Sequence, residues 1–209
     1  MTVDGKSIVS GDYISAQPEI RVQITDDGVV PIASPSNVLL RIDGRPVTLG
    51  TATPDSLFES RWNEKAAFAT FRPKLSNGAH TLGIQVTDGS GNPADTAEYV
   101  LDFRVEETTR LLNVINYPNP FEDGTQVTFE LTGMSTPLEA RFRVFTVAGR
   151  KIHDFRIAGG NLRIGFNSFG WDGHDAQGDD IANGVYLGHL SVVTAQGTNE
   201  AILKLAKAR

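Results

Sequence analysis

Tyr99-Val100-Leu101-Asp102-Phe103-Arg104-Val105, followed by Glu106-Glu107-Thr108-Thr109, decides how the chain is read. Tyr99, Leu101, Phe103 and Val105 fall on alternate positions. Side chains of a strand switch faces at every residue, so the four mark the inward face of one β-strand. The polar run after it stops that pattern, and Leu112 and Val114, with Ile115, begin another. Four polar residues are too few for a flexible tether, so the run reads as a domain boundary. The chain has 209 residues, and one sandwich takes about 100. The expectation is all-β, with two β-sandwich domains in tandem over 1–106 and 107–209.

The same alternation recurs on both sides of the boundary. Upstream, Ile20, Val22 and Ile24 alternate with Arg21 and Gln23, and Val38, Leu40 and Ile42 run into Asp43-Gly44, a tight-turn signal. Phe68 and Phe71 flank a run that stops at Pro73, and Leu82, Ile84 and Val86 precede Asp88-Gly89-Ser90-Gly91-Asn92-Pro93. Downstream, Val127, Phe129 and Leu131 alternate, as do Phe142 and Val144, and Val147-Ala148-Gly149-Arg150 reads as a turn into Ile152. A strand through Tyr186, Leu190 and Val192 pairs with the final Ala201 to Lys207 run. Only Asp55 to Phe68 tempts toward helix, and it lacks a sustained 3.6-residue period. Strand-sized runs at this spacing predict about seven strands per half.

Composition removes whole classes of function. Cysteine is absent, which excludes disulfides, thiolate zinc sites and a thiol nucleophile together. The net charge is −6 and charged residues make up 21%; lysines and arginines this scattered cannot neutralise a phosphate track, so nucleic acid is excluded as a partner. No apolar run approaches the ~20 residues of a transmembrane span. Met1-Thr2-Val3-Asp4-Gly5-Lys6 carries no hydrophobic stretch, so it is not a signal peptide, and the chain is expected to be a fragment of a longer protein. There is no Gly-x-Ser-x-Gly elbow and no phosphate-cradling Gly-Lys-Ser/Thr loop. His80, His153, His174 and His189 show no metal-ligand spacing, and His80 reads as a strand-edge residue. No catalytic residue is identified, and the chain is not expected to be an enzyme.

Three ordered elements stand out in the second half: Tyr117-Pro118-Asn119-Pro120-Phe121, then Val144 to Ile152 around Gly149, then Trp171-Asp172-Gly173-His174-Asp175 with Ala182-Asn183-Gly184-Val185-Tyr186. Their chemistry is structural. Pro118 and Pro120 fix φ and remove two backbone donors, so this stretch cannot lie in a central strand. Phe121 anchors it. Gly149, Gly173 and Gly184 supply tight turns, and Trp171 is the expected core anchor. Asp172, Asp175, Asp179 and Asp180, and separately Asp88 and Asp95, bring carboxylates close in sequence. Calcium takes six to eight oxygens, but the spacing is not that of an EF-hand and Asp before Gly is first a turn signal. No cofactor is therefore expected, with calcium the lesser reading at either loop.

These elements, with the lysine-bearing last strand, resemble the C-terminal sorting domain of type IX secretion cargo in Bacteroidetes, which has an immunoglobulin-like fold related to that of flagellar hook-cap proteins. The resemblance covers about 111–209. The first half is similar to the immunoglobulin-like domain that follows the catalytic region of gingipain-like sortase peptidases. It rests on Gly11-Asp12-Tyr13-Ile14-Ser15, Ile42-Asp43-Gly44 and Leu75 to Leu82. What this implies is a non-catalytic tail of two immunoglobulin-like domains, a spacer and an address label. The tail would belong to a monomer that passes through the periplasm to the cell surface or medium. Its implied partners are an outer-membrane secretion machinery and a surface sortase. The surface expected to meet the translocon comprises Val185, Tyr186, Lys204, Leu205 and Lys207, on an edge strand that offers unpaired backbone groups. Two other readings compete: a structural or adhesive scaffold module, and a carbohydrate-binding module using Trp62 and Phe58.

Overall fold

A computed structural model describes every residue except 29, 31, 51–54, 95–97, 135 and 209, and the side chain of Trp62. The chain divides into two compact units, Met1–Val105 and Glu106–Arg209. Each is a two-sheet immunoglobulin-like β-sandwich.

The N-terminal unit holds β1 (Thr2–Val3), β2 (Lys6–Ser7), β3 (Tyr13–Ile14), β4 (Ile20–Thr25), β5 (Val38–Ile42), β6 (Arg45–Val47), β7 (Ser56–Arg61), β8 (Ala66–Phe71), β9 (Gly78–Val86) and β10 (Tyr99–Val105). One sheet runs β2-β1-β4-β8-β7 and the other β3-β10-β9-β5-β6. The stretch that tempted toward helix is strand β7, a short 3-10 turn at Trp62–Glu64 and the start of β8. The two-residue strands β1 to β3 are too short for an alternation to mark. Between β5 and β6, Asp43 and Gly44 both take positive φ, 51° and 75°, which is the geometry the Asp-Gly pair signals for a two-residue hairpin. Ile14, Ile20, Val22, Leu40, Phe71, Leu82, Phe103 and Val105 share one buried cluster. In β10 the inward set begins at Leu101, because Tyr99 is exposed.

The C-terminal unit holds β11 (Leu111–Tyr117), β12 (Thr125–Leu131), β13 (Glu139–Thr146), β14 (Lys151–Ala158), β15 (Gly165–Trp171), β16 (Gly184–Thr194) and β17 (Gly197–Lys207). Its sheets run β11-β12-β15 and β14-β13-β16-β17. Val127, Phe129, Leu131, Ala140, Phe142, Val144, Leu190 and Val192 are buried as the alternation requires. The core is aromatic: Phe169 packs edge-on against Phe129, Phe142 and Phe155, at centroid distances of 6.4, 5.1 and 5.3 Å. Ile115 is exposed because the β11–β12 register slips between Leu112 and Ile115, where Asn113 takes φ 50°. One extra residue in a strand moves every later side chain to the other face.

Candidate functional site

Two of the three sequence elements, Tyr117 to Phe121 and the loop from Trp171, meet at the last strand, while the Gly149 turn lies between β13 and β14. Both Tyr117-Pro118 and Asn119-Pro120 peptide bonds are cis, and the segment between β11 and β12 runs along the outer side of β17. Asn119 works there as a backbone mimic. Its amide Nδ2 donates to the Lys204 carbonyl at 2.9 Å, and its Oδ1 accepts from the Ala206 N–H at 2.9 Å. Phe121 continues the pairing, donating its N–H to Ala206 O and accepting from Ala208 N–H. The segment is in turn held from β11 and β12: Asn116 Nδ2 donates to Thr125 Oγ1, which donates to Pro118 O at 2.8 Å. The edge of β17 is thus covered over Lys204–Ala208 by a stretch whose prolines could not have joined a ladder themselves.

Beneath this clasp lies a buried lysine paired with a partly exposed carboxylate. Phe121, 1% exposed, meets Trp171 edge-on at 5.5 Å, and the indole N–H of Trp171 donates to His174 O at 3.0 Å. Lys207 is 3% exposed. Its ammonium pairs with Asp180 and lies 5.8 Å from the centre of the Phe121 ring. Gly173 leaves room for it. A Cβ there would stand 3.1 Å from the Phe121 ring and 3.2 Å from Lys207 Nζ, at a backbone φ of 74°. Gly149 closes the turn that joins β13 and β14, with its N–H on Thr146 O, and Gly184 opens β16.

These placements correct several expectations. Of the five residues assigned to partner recognition, only Val185 and Lys204 are exposed. Leu205 is fully buried, Tyr186 is buried with its hydroxyl donating to Ala182 O, and Lys207 is an internal ion. Lys207 follows Leu203 and Leu205 on the inward side of β17, so the period of two governs it as it governs the leucines. The part of the edge without a ladder is the first half of β17. There the outward backbone groups of Thr198, Glu200 and Ile202 form no ladder with a described strand, although β11 passes near β17, and Ile202 is 70% exposed.

His80 is also not at a strand edge. It is buried in β9, stacked 5.6 Å from Phe103, with Nδ1 2.7 Å from an Asp43 carboxylate oxygen and Nε2 2.8 Å from Ser76 O. Burial pulls its pKa down, but the Ser76 carbonyl and the Asp43 carboxylate outweigh that and raise it. Phe58 is a core side chain rather than a solvent-facing aromatic, and the Trp62 side chain lies outside the described residues.

The carboxylates serve as turn caps. Asp172 accepts from His174 N–H, Asp175 from Gln177 and Asp179 N–H, and Asp88 from Ser90 and Asn92 N–H. Asp95 lies outside the described residues. Among those described, no three carboxylate or imidazole groups gather as metal ligands would. Among the described residues, no helix is long and apolar enough to cross a membrane.

No family model matches the chain, and no curated protein matches it. Solved structures match its fold. Dimeric latent PorU from Porphyromonas gingivalis is 18% identical over 99% of this chain, with a TM-score of 0.43. The fibronectin(III)-like modules of CbhA from Clostridium thermocellum are 15% identical, covering 100% of this chain and 95% of theirs, with a TM-score of 0.37. The FN1-FN3 domains of chicken CNTN1 are 7% identical, covering 97% of this chain and 70% of theirs, with a TM-score of 0.36. The chain spans about a fifth of the PorU chain, which it covers over 20%.

Asn119, Gly173 and Trp171 were legible as structural residues. The pairing of Lys207 with Asp180 was not, because nothing in a sequence links residues that far apart. Asn116 and Thr125, which hold the clasp from below, were missed for want of any local pattern.

Proposed function

We propose that this chain is the non-catalytic tail of a larger secreted protein, and that its C-terminal unit is a type IX secretion signal. In this reading it passes through the periplasm, crosses the outer membrane and reaches the surface or the medium. The observation that carries the reading is the meeting of two of the motif elements, Tyr117 to Phe121 and the loop from Trp171, at one place, the terminal strand. A sorting signal read at a C-terminus needs that terminus folded in a fixed form, and the clasp of Asn119, Phe121, Trp171 and Lys207 supplies one. The accessible recognition surface is then Val185, Lys204 and the ladder-free edge at Thr198–Ile202, where an extended partner segment can add a strand.

The test is to append 107–209 to a periplasmic fluorescent protein in a type IX-competent host. Fluorescent protein at the cell surface or in the medium is the expected result. Retention in the periplasm as a folded fusion overturns the sorting reading. Retention as an oligomer favours the scaffold reading instead, for which the same edge and exposed Ile202 would be the self-association surface.

A further inference from the structure

A cleft of about 620 Å³ lies in the C-terminal unit, within the range that small-molecule sites occupy. Tyr117, Gln126 and Gly170 cross its floor side by side, since Tyr117 pairs with Gln126 and Gln126 with Gly170 across β11, β12 and β15. The Tyr117 side chain is 77% exposed. Gly170 keeps the floor flat: a Cβ there would stand 3.0 Å from the Gln126 amide nitrogen. Phe155, His153 and Trp171 form one wall, and Asp123 and Asp172 stand at the rim. The His153 and Trp171 rings lie 6.2 Å apart.

The chemical mixture of this lining selects a ligand. An exposed aromatic face offers an apolar plate, while the amide and carboxylates around it accept hydroxyl donors. The Asp172 carboxyl is held below its ordinary pKa, chiefly by the N–H of His174, so the rim is anionic and turns phosphates and carboxylates away. A pyranose ring fits this description, with one C–H face for the aromatic plate and a rim of hydroxyls.

We propose that the cleft binds a neutral saccharide unit, with its ring stacked on Tyr117 and its hydroxyls donated to Gln126, Asp123 and Asp172. The site rests on its own lining and stands whether or not the unit is a sorting signal. It involves none of the residues, Trp62 and Phe58, on which a carbohydrate role was first considered.

The test uses the full chain carrying Trp62→Phe, which leaves Trp171 in the cleft wall as the only tryptophan. Glucose, galactose, mannose, N-acetylglucosamine, cellobiose and chitobiose are titrated to tens of millimolar, read by Trp171 fluorescence and saturation-transfer NMR. At least one sugar is expected to give a saturable response. Tyr117→Ala and Gln126→Ala should each weaken it about tenfold, as loss of a central contact does, while circular dichroism stays unchanged. No saturable response to any sugar, or an affinity unaltered in both variants, overturns the proposal. So does a response to a tetralysine peptide with none to sugars, which would assign the cleft to a cation.

Discussion

In the N-terminal unit the last strand, β10, lies inside its sheet between β3 and β9; in the C-terminal unit the last strand, β17, is the sheet's edge. The inner strand has one backbone side in the β9 ladder and the other held at Arg104 and Val105 by parallel pairing with Tyr13 and Ile14 and at Asp102 by Ser10 and Gly11. The edge strand has a ladder on one side only, and the partner for the other must be found elsewhere. The C-terminal unit finds it in a side-chain amide, a short parallel bridge at Phe121 and a lysine buried at the strand's end. The cores differ to match. The N-terminal core is largely aliphatic, whereas the C-terminal one centres on Phe121, Phe129, Phe142, Phe155, Phe169 and Trp171. The same sandwich frame therefore leaves one terminus locked by strand order and the other by specific side chains. Point substitutions should reach the second far more easily than the first.

The largest expected effect comes from Trp171→Ala. The ring is 3% exposed, it supports Phe121, and its N–H is bonded. Its loss should cost about 3–5 kcal/mol, a large share of the stability of a domain this size. Guanidinium unfolding followed by circular dichroism should show the C-terminal transition shifted and the N-terminal one unmoved. A cost under about 1 kcal/mol would mean that the clasp is not anchored by Trp171.

Lys207 gives a smaller and more diagnostic effect. Breaking a fully buried pair costs about 3–5 kcal/mol, but the Asp180 side chain is 33% exposed. Water reaches the carboxylate left behind, so Lys207→Ala should cost about 2 kcal/mol. Lys207→Met keeps most of the stem volume against Phe121 and should cost less. Adding Asp180→Asn to Lys207→Met should recover part of the loss, and a double-mutant cycle reads that coupling directly. Equal costs for both Lys207 variants, with no coupling to Asp180, would show that packing rather than charge holds the terminus.

The same contrast explains what could be read from the sequence. Where burial alternates cleanly, as in β4, β5, β12 and the β16–β17 hairpin, the pattern of two located strand and face together. β15 escaped because Gly165 and Asn167 hold its inward positions, with the Asn167 amide satisfied by the carbonyls of Arg163 and Gly165. Gly188 escaped as well. It is a core position where a Cβ would come within 2.9 Å of Phe142 and Leu203, yet a glycine carries no hydrophobic signal. At the candidate site, the residues with unusual backbone chemistry were visible, while those acting through distant partners were not. His80 and Lys207 share that error: each was read by its charge type, and each is buried because a carboxylate far along the chain meets it.

The smallest of the three effects tests the N-terminal side of the comparison by pH. The pKa of His80 is raised, so its protonated form is favoured by the fold. That contribution is complete below the unfolded value of about 6.5 and is lost as pH rises through the folded value above it. Asp43 shifts the other way: burial opposes its ionisation, but the hydrogen bonds from His80 and Thr81 win and lower its pKa. Its contribution is present above about 3.9 and is lost as pH falls through the depressed folded value. The N-terminal unit should therefore be most stable between about pH 4 and 6.5 and weaken on going to pH 8. His80→Gln, which keeps a hydrogen-bonding side chain but cannot titrate, should flatten the alkaline side of that profile and leave the acid side in place. Thermal unfolding of the two proteins across pH 4 to 9 measures it. An unchanged slope in the variant would mean that the His80–Asp43 contact is neutral in the folded state, and that strand order alone secures β10.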